Sequence, residues 1–146
     1  MISYEVIPLE RIGPVHLGMS RDTVQSVLGE CRSFLKTPAS VHPTDAWYNG
    51  NFQVYYGGSQ AVVECIEVSN NLEFLVSYMA IPVFDTPALG LVERIEQISR
   101  ADQLDPEFGC SYIFPALELS LWRPTIEDYV FSTIGIGQLG YFSSAT

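Results

Sequence analysis

Positive charge is scarce in this chain. One lysine and six arginines stand against 17 carboxylates, for a net charge of −10 over 146 residues. So few cations cannot assemble the basic footprint that nucleic acid requires, and nucleic acid is not an expected partner. Cysteine is sparse as well. Cys31, Cys65 and Cys110 are odd in number and match no zinc spacing, so reduced thiols and a cytoplasmic address are expected. No apolar run reaches the length of a membrane span. The opening Met1-Ile2-Ser3-Tyr4-Glu5 has no basic region and no long apolar stretch, so neither a secretory signal nor a membrane partner is expected.

Catalytic apparatus is thin too. The only histidines are His16, in a turn, and His42, in a loop beside Pro43. No HExxH, CxxC, GxSxG or P-loop pattern occurs. Gly135-Ile136-Gly137-Gln138-Leu139-Gly140 spells GxGxxG, but no room follows for the helix that a dinucleotide site needs. Glu64 and Glu67, three apart in a strand, fall on opposite faces and make a poor acid pair. The chain is therefore not expected to be an enzyme, and no metal or cofactor is expected. An enzyme using His16 or His42 is the weakest of the readings considered.

What the sequence does have is core. Hydrophobic residues are 47% of the chain and charged ones 16%, which excludes disorder. At this length the expectation is one domain, residues 1–146. It is organised around Ile12 to Gly29. Ser20 is a helix N-cap, Asp22 suits the positive end of the helix dipole, and Val24, Val27 and Leu28 form one apolar face. Gly29 closes the helix, and Gly13 and Gly18 bracket the turn before it. Strands are predicted over 2–8, 45–48, 52–56, 61–69, 73–82, 112–114, 117–122 and 129–136, with 139–142 ending the sheet and 30–44 a loop. A second helix opens at Thr86-Pro87, with Thr86 as N-cap. Its apolar face is Leu91, Val92, Ile95 and Ile98. Residues 143–146 should fray.

The order of elements occurs twice. Val24 matches Leu91, residues 52–56 match 117–121, and 63–69 match 129–135, at offsets of 67, 65 and 66. Such offsets argue for internal repeats over about 1–72 and 73–146. The expected fold is α+β: a tandem helix-plus-antiparallel-strand repeat forming one curved sheet with both helices on one face. Phe52, Val54, Tyr56, Leu117, Leu119 and Leu121 would face the helices. Gln53, Tyr55, Glu118, Ser120 and Trp122 would face away.

Leu17-Gly18-Met19-Ser20-Arg21-Asp22-Thr23-Val24, closed by Leu28-Gly29, resembles a turn-and-helix motif of the beta-lactamase-inhibitory protein and of small outer-membrane-assembly lipoproteins. The first of these is a tandem repeat, and the resemblance implies a concave sheet that binds a protein through aromatic and acidic residues. The chain lacks that inhibitor's cysteine pairs and a lipoprotein's cleavage-site cysteine. Overall it is more similar to small acidic bacterial immunity proteins of contact-dependent and polymorphic toxin systems. Tyr4-Glu5-Val6-Ile7-Pro8 running into Ile12-Gly13-Pro14, and Leu119-Ser120-Leu121-Trp122-Arg123-Pro124, carry that likeness. It implies a cytoplasmic protein that blocks a cognate toxin domain, possibly a nuclease.

A basic toxin surface would suit the charge. Trp47, Tyr55 and Trp122 are expected anchors, with Gln53 beside them on the outward face. Asp45, Glu64, Glu118, Glu127 and Asp128 are the expected partners of toxin Arg or Lys. The alternative is a small-ligand-binding or scaffold domain of the same fold, with Trp47, Tyr55 and Trp122 lining the sheet.

Overall fold

The computed structural model describes residues 1–142; the expected fraying of 143–146 lies outside the described residues. The chain begins with β1, Ile2–Ile7, which buries Tyr4 and Val6 and turns Ser3 and Glu5 outward. A tight turn leads into β2, Arg11–Ile12, and β3, Val15–His16. Between them Gly13 takes φ +54° with the Tyr4 ring lying where a Cβ would stand, so glycine alone fits. The helix α1, Arg21–Leu28, starts as its sequence predicts: the Ser20 hydroxyl accepts from the Thr23 N–H at 3.3 Å. Val24 is fully buried, but Val27 is exposed, so the apolar stripe is narrower than its spacing suggests.

The region read as a loop contains a short strand, β4, Arg32–Phe34. It edges a meander of β5 (Thr44–Trp47), β6 (Phe52–Gly57) and β7 (Val62–Ser69). A tight turn at Tyr48–Gly50, whose three residues all take positive φ, joins β5 to β6. The strand predicted over 73–82 is a hairpin of β8 (Phe74–Tyr78) and β9 (Ile81–Pro82), because Met79 and Ala80 both adopt positive φ. The second helix, α2, is Ala88–Glu96 and buries Leu91, Val92 and Ile95. Ile98 lies past its end and is exposed. Thr86 does not cap it; its hydroxyl donates to the Pro82 carbonyl at 2.6 Å.

The last three strands are β10 (Ser111–Phe114), β11 (Leu119–Trp122) and β12 (Thr133–Gly137). Tyr129 precedes β12 and is exposed, so that strand starts later than predicted. Residues 139–142 form a turn, not a strand.

Among the described residues the architecture is α+β, with two helices and two open sheets where one sheet was expected. The smaller sheet has the order β3-β2-β1-β8-β9, and its central pair, β1 and β8, is parallel. Each of those strands leads by a short antiparallel return toward a helix, which gives the two the same direction. The larger sheet is antiparallel throughout, in the order β10-β11-β12-β7-β6-β5-β4. Its β12–β7 pairing joins the strands of the two halves.

One face of the larger sheet is core: Phe52, Val54, Ile66, Val68, Leu119, Leu121, Ile134 and Ile136 are all fully buried. Val24 of α1 and Leu91 and Ile95 of α2 join the same cluster, with Tyr4, Val6 and Phe74 from the smaller sheet. On the other face, registers align Arg32, Ala46, Gln53, Glu67, Gly135, Ser120 and Ile113 in one row across all seven strands.

At Gly135 in that row and at Gly137 beside it, β12 presents no side chain to this face, because these glycines alternate with the buried isoleucines. The space is filled from the C-terminal turn. Tyr141 Cβ lies 2.6 Å from where a Gly137 Cβ would be, and the Phe142 ring lies 3.7 Å from the same point on Gly135. The GxGxxG run is thus a seat for two aromatic rings. Gly137→Ala is expected to unseat Tyr141 and to cost about 1–3 kcal/mol of stability, measured by urea denaturation, with a change in near-UV circular dichroism.

Candidate functional site

Three residues predicted to face a partner are not at the surface. Asp45 is fully buried at the start of β5. Its carboxylate accepts from Arg21 Nε and Nη2 at 2.9 Å each, Ser33 Oγ at 2.7 Å, Tyr56 Oη at 2.9 Å and Gln25 Nε2 at 3.1 Å. The alternation of β5 points it inward with Trp47, toward α1. Trp47 is buried too, and its indole N–H donates to the Gly29 carbonyl at 3.0 Å, closing the end of α1. Glu118 lies in the left-handed turn before β11 at φ 47°, so the alternation predicted over 117–122 starts only at Leu119. Its buried carboxylate accepts from the backbone N–H groups of Gly140 and Phe142 and holds the C-terminal turn over β12.

The other predicted residues reach solvent. Gln53 and Tyr55 lie on the outer face of β6, with the Tyr55 hydroxyl donating to Gln53 Oε1 at 2.7 Å. Trp122 is on the same face at the end of β11 and is 40% exposed. Glu127 is exposed, and Asp128 closes its turn by accepting from the Thr125 N–H at 2.9 Å. Tyr55 and Trp122 are not neighbours. Three strand spacings and about four residues of register separate them, roughly 20 Å across one face.

Glu64 and Glu67 were expected on opposite faces. A bulge between Tyr55 and Tyr56 shifts the β6–β7 register and places both carboxylates on the outer one. Glu67 stands opposite Gln53. The Glu64 carboxylate lies over Gly57, in the space that a Cβ at Gly57 would take. Burial pushes the Glu67 carboxyl up, with Lys36 opposing that shift. Tyr55 is raised by burial and then by the nearby charge of Glu67. Burial also raises Tyr141, whose phenol hydrogen-bonds to Cys65.

Tyr55, Tyr141 and Glu64, but not Glu67, edge a cavity of about 510 Å³. Its walls are Tyr55, Tyr141 and Glu64 on the sheet side, and Lys36, Val41 and His42 from the segment between β4 and β5. His42 Nε2 lies 2.6 Å from the Gly58 carbonyl oxygen and ties that segment to the β6–β7 turn. Lys36 Nζ sits 4.7 Å from the centre of the Tyr55 ring.

No family model, no curated protein and no solved structure matches the chain. The site therefore rests on its own geometry. Among the described residues no group of three or more His, Cys, Asp or Glu is placed to hold a metal ion, and no helix is long and apolar enough to cross a membrane. His16 is exposed in β3, and His42 is engaged with a backbone carbonyl.

Sequence reasoning missed Lys36, Glu67 and Tyr141. The glycines of β12 were the readable signal. Two glycines alternating with two isoleucines leave one strand face bare, and something else must cover it.

The buried charged side chains are few: Asp45, paired with the half-buried Arg21, then Glu118, and Arg123, which donates to the carbonyls of Gly109 and Asp128. Most of the negative excess is consequently displayed outward.

Burial alone would raise Asp45, but the hydrogen bonds from Arg21, Ser33, Tyr56 and Gln25 outweigh it and hold the carboxyl at about 2, below its ordinary 3.8. A depressed folded value stabilises the fold fully above the ordinary value and loses that stability as pH falls through about 2. Asp45→Ala should destabilise by about 3–5 kcal/mol by leaving Arg21 without its buried partner. The variant should also lose less of its remaining stability between pH 4 and pH 2 than the native chain, read by urea titrations at each pH.

Proposed function

We propose that this chain is a non-catalytic cytoplasmic immunity protein that binds and blocks a cognate toxin domain, possibly a nuclease, through the outer face of its seven-stranded sheet. The observation that carries this reading is the pairing of a partly exposed sheet face with a surface that bears most of the net negative charge. On that face Trp122 and Tyr55 offer ring area, and Glu64 and Glu67 offer carboxylates. Large rings bring contact area at low entropic cost, and complementary charge speeds docking onto a basic cleft.

The spacing of elements supports the tandem-repeat part of the reading. α1 begins at Arg21 and α2 at Ala88, 67 residues on. The segment β5, turn, β6 begins at Thr44, Tyr48 and Phe52, and β10, turn, β11 begins at Ser111, Pro115 and Leu119, at that same interval each time. A duplicated unit with its helices on the inner face would account for both runs. The second reading, a small-ligand-binding domain, is favoured by the cavity at Tyr55 and Tyr141.

The two readings separate on co-expression with the C-terminal domain of the protein encoded immediately upstream. A one-to-one complex that weakens with salt is expected, and cells making the neighbour alone should be harmed. Trp122→Ala and Tyr55→Ala should each weaken the complex by about tenfold or more, read by calorimetric titration. No complex, with unharmed cells, would remove the immunity reading and leave the ligand-binding one.

A further inference from the structure

The cavity on the outer face has a floor that the sequence spends a glycine to make. Gly57 has an ordinary negative φ, so its backbone does not call for glycine. What requires it is space: the Glu64 carboxylate occupies the position of the missing Cβ. That carboxylate makes no hydrogen bond or ion pair with any described residue. It stands at the wall of a cavity of about 510 Å³ whose other sheet-side walls are Tyr55 and Tyr141. A negative group beside aromatic rings is the chemistry that takes a cation, since the ring faces attract positive charge and the carboxylate accepts its N–H groups.

The chain already displays that chemistry in miniature. Its single lysine, Lys36, lies over the Tyr55 ring, and no carboxylate is within salt-bridge distance of it among the described residues. Lys36 is exposed on the segment between β4 and β5, so it can leave without opening the core. Glu67, on the same face, is half-buried and makes no side-chain hydrogen bond or ion pair with any described residue, with Lys36 the one cation that favours its charged form.

We infer that the Glu64–Tyr55–Tyr141 cavity receives an arginine side chain of the partner protein, whose guanidinium displaces Lys36 from the Tyr55 ring and forks onto Glu64. This rests on the proposed inhibitory function and names the contact it uses at one corner of the face. Arginine fits better than lysine because its planar guanidinium can stack on a phenol ring and still present a two-pronged edge to a carboxylate. The surface supplies the steering field, because most of the negative excess lies outside.

The probe is Nα-acetyl-L-arginine methylamide, titrated into the isotopically labelled full chain and followed by amide and aromatic NMR shifts. The citrulline analogue, equal in shape and uncharged, is the control. Arginine is expected to move the signals of Gly57, Tyr55 and Tyr141, and citrulline to leave them in place. Glu64→Gln should weaken arginine binding by about tenfold, the loss of one charge-assisted contact, while the remaining spectrum shows an intact fold. Gly57→Ala should weaken it as much by displacing Glu64.

Lys36→Ala is the decisive variant. It should strengthen arginine binding by removing the competitor, whereas a pocket built for anions would lose affinity. Equal responses to arginine and citrulline, or indifference to Glu64→Gln, would overturn the inference. A toxin complex that forms but ignores Glu64→Gln would overturn it too while leaving the inhibitory function standing. Arginine binding through Glu64 with no complex from the upstream neighbour would instead remove the inhibitory function and keep the cation chemistry of the cavity.

Discussion

Everything in the first half of the molecule is arranged around one buried carboxylate. Asp45 gathers α1, β4, β5 and β6 through Arg21 and Gln25, Ser33, its own backbone and Tyr56. A carboxylate with no access to water is costly unless its oxygens are filled, and here the contacts fill them. The constraint then runs outward. Arg21 must leave the first turn of α1 pointing at β5, which fixes where the helix sits. Trp47, two residues along the same strand face, then reaches Gly29 and closes the other end of that helix. Removing the charge would leave Arg21 half-buried with no counter-ion, so the knot holds together or fails together.

The second half solves the same problem with different groups. Tyr56 ends the alternation of β6, and Arg123 stands 67 residues later, just past β11. Tyr56 donates to Asp45, and Arg123 donates to the carbonyls of Gly109 and Asp128 while lying against the Phe131 ring. Tyr56 fills a buried carboxylate of the neighbouring strand, whereas Arg123 fills the carbonyls of irregular loops. The residues at these two positions differ in type and in the groups they satisfy.

Local rules made a good part of this legible in advance. Ser20, Gly13 and Gly29 act through their nearest neighbours, and the structure places them as their sequence implies. Strict alternation identified β6 and the buried side of β11. The failures share one cause. Asp45, Trp47 and Glu118 were given outward roles from residue type, but their direction is set by partners far along the chain: Arg21 and Tyr56, Gly29, and Gly140 with Phe142. The separation of Glu64 from Glu67 failed because a bulge inserts one residue, which no period-two reading detects. The division into two sheets was hidden for a similar reason, since the parallel pairing of β1 with β8 joins residues about 70 apart.

The same long-range contacts decide what the outer face can do. Had β12 carried side chains in place of Gly135 and Gly137, the C-terminal turn could not lie on the sheet, and Tyr141 would not wall the cavity. Had Gly57 carried a Cβ, the Glu64 carboxylate would be pushed from its place. Glycine is expensive inside a strand, because it gives up packing and backbone entropy. Its use at three positions on one face therefore needs a return, and stability is not improved by resting an unpaired carboxylate in an open hollow. The return is a hollow with phenol walls and a free negative group, held by a sheet that cannot easily deform. A face built only to be solvated would have no use for it, whereas a face that must grip one cationic side chain of a partner would.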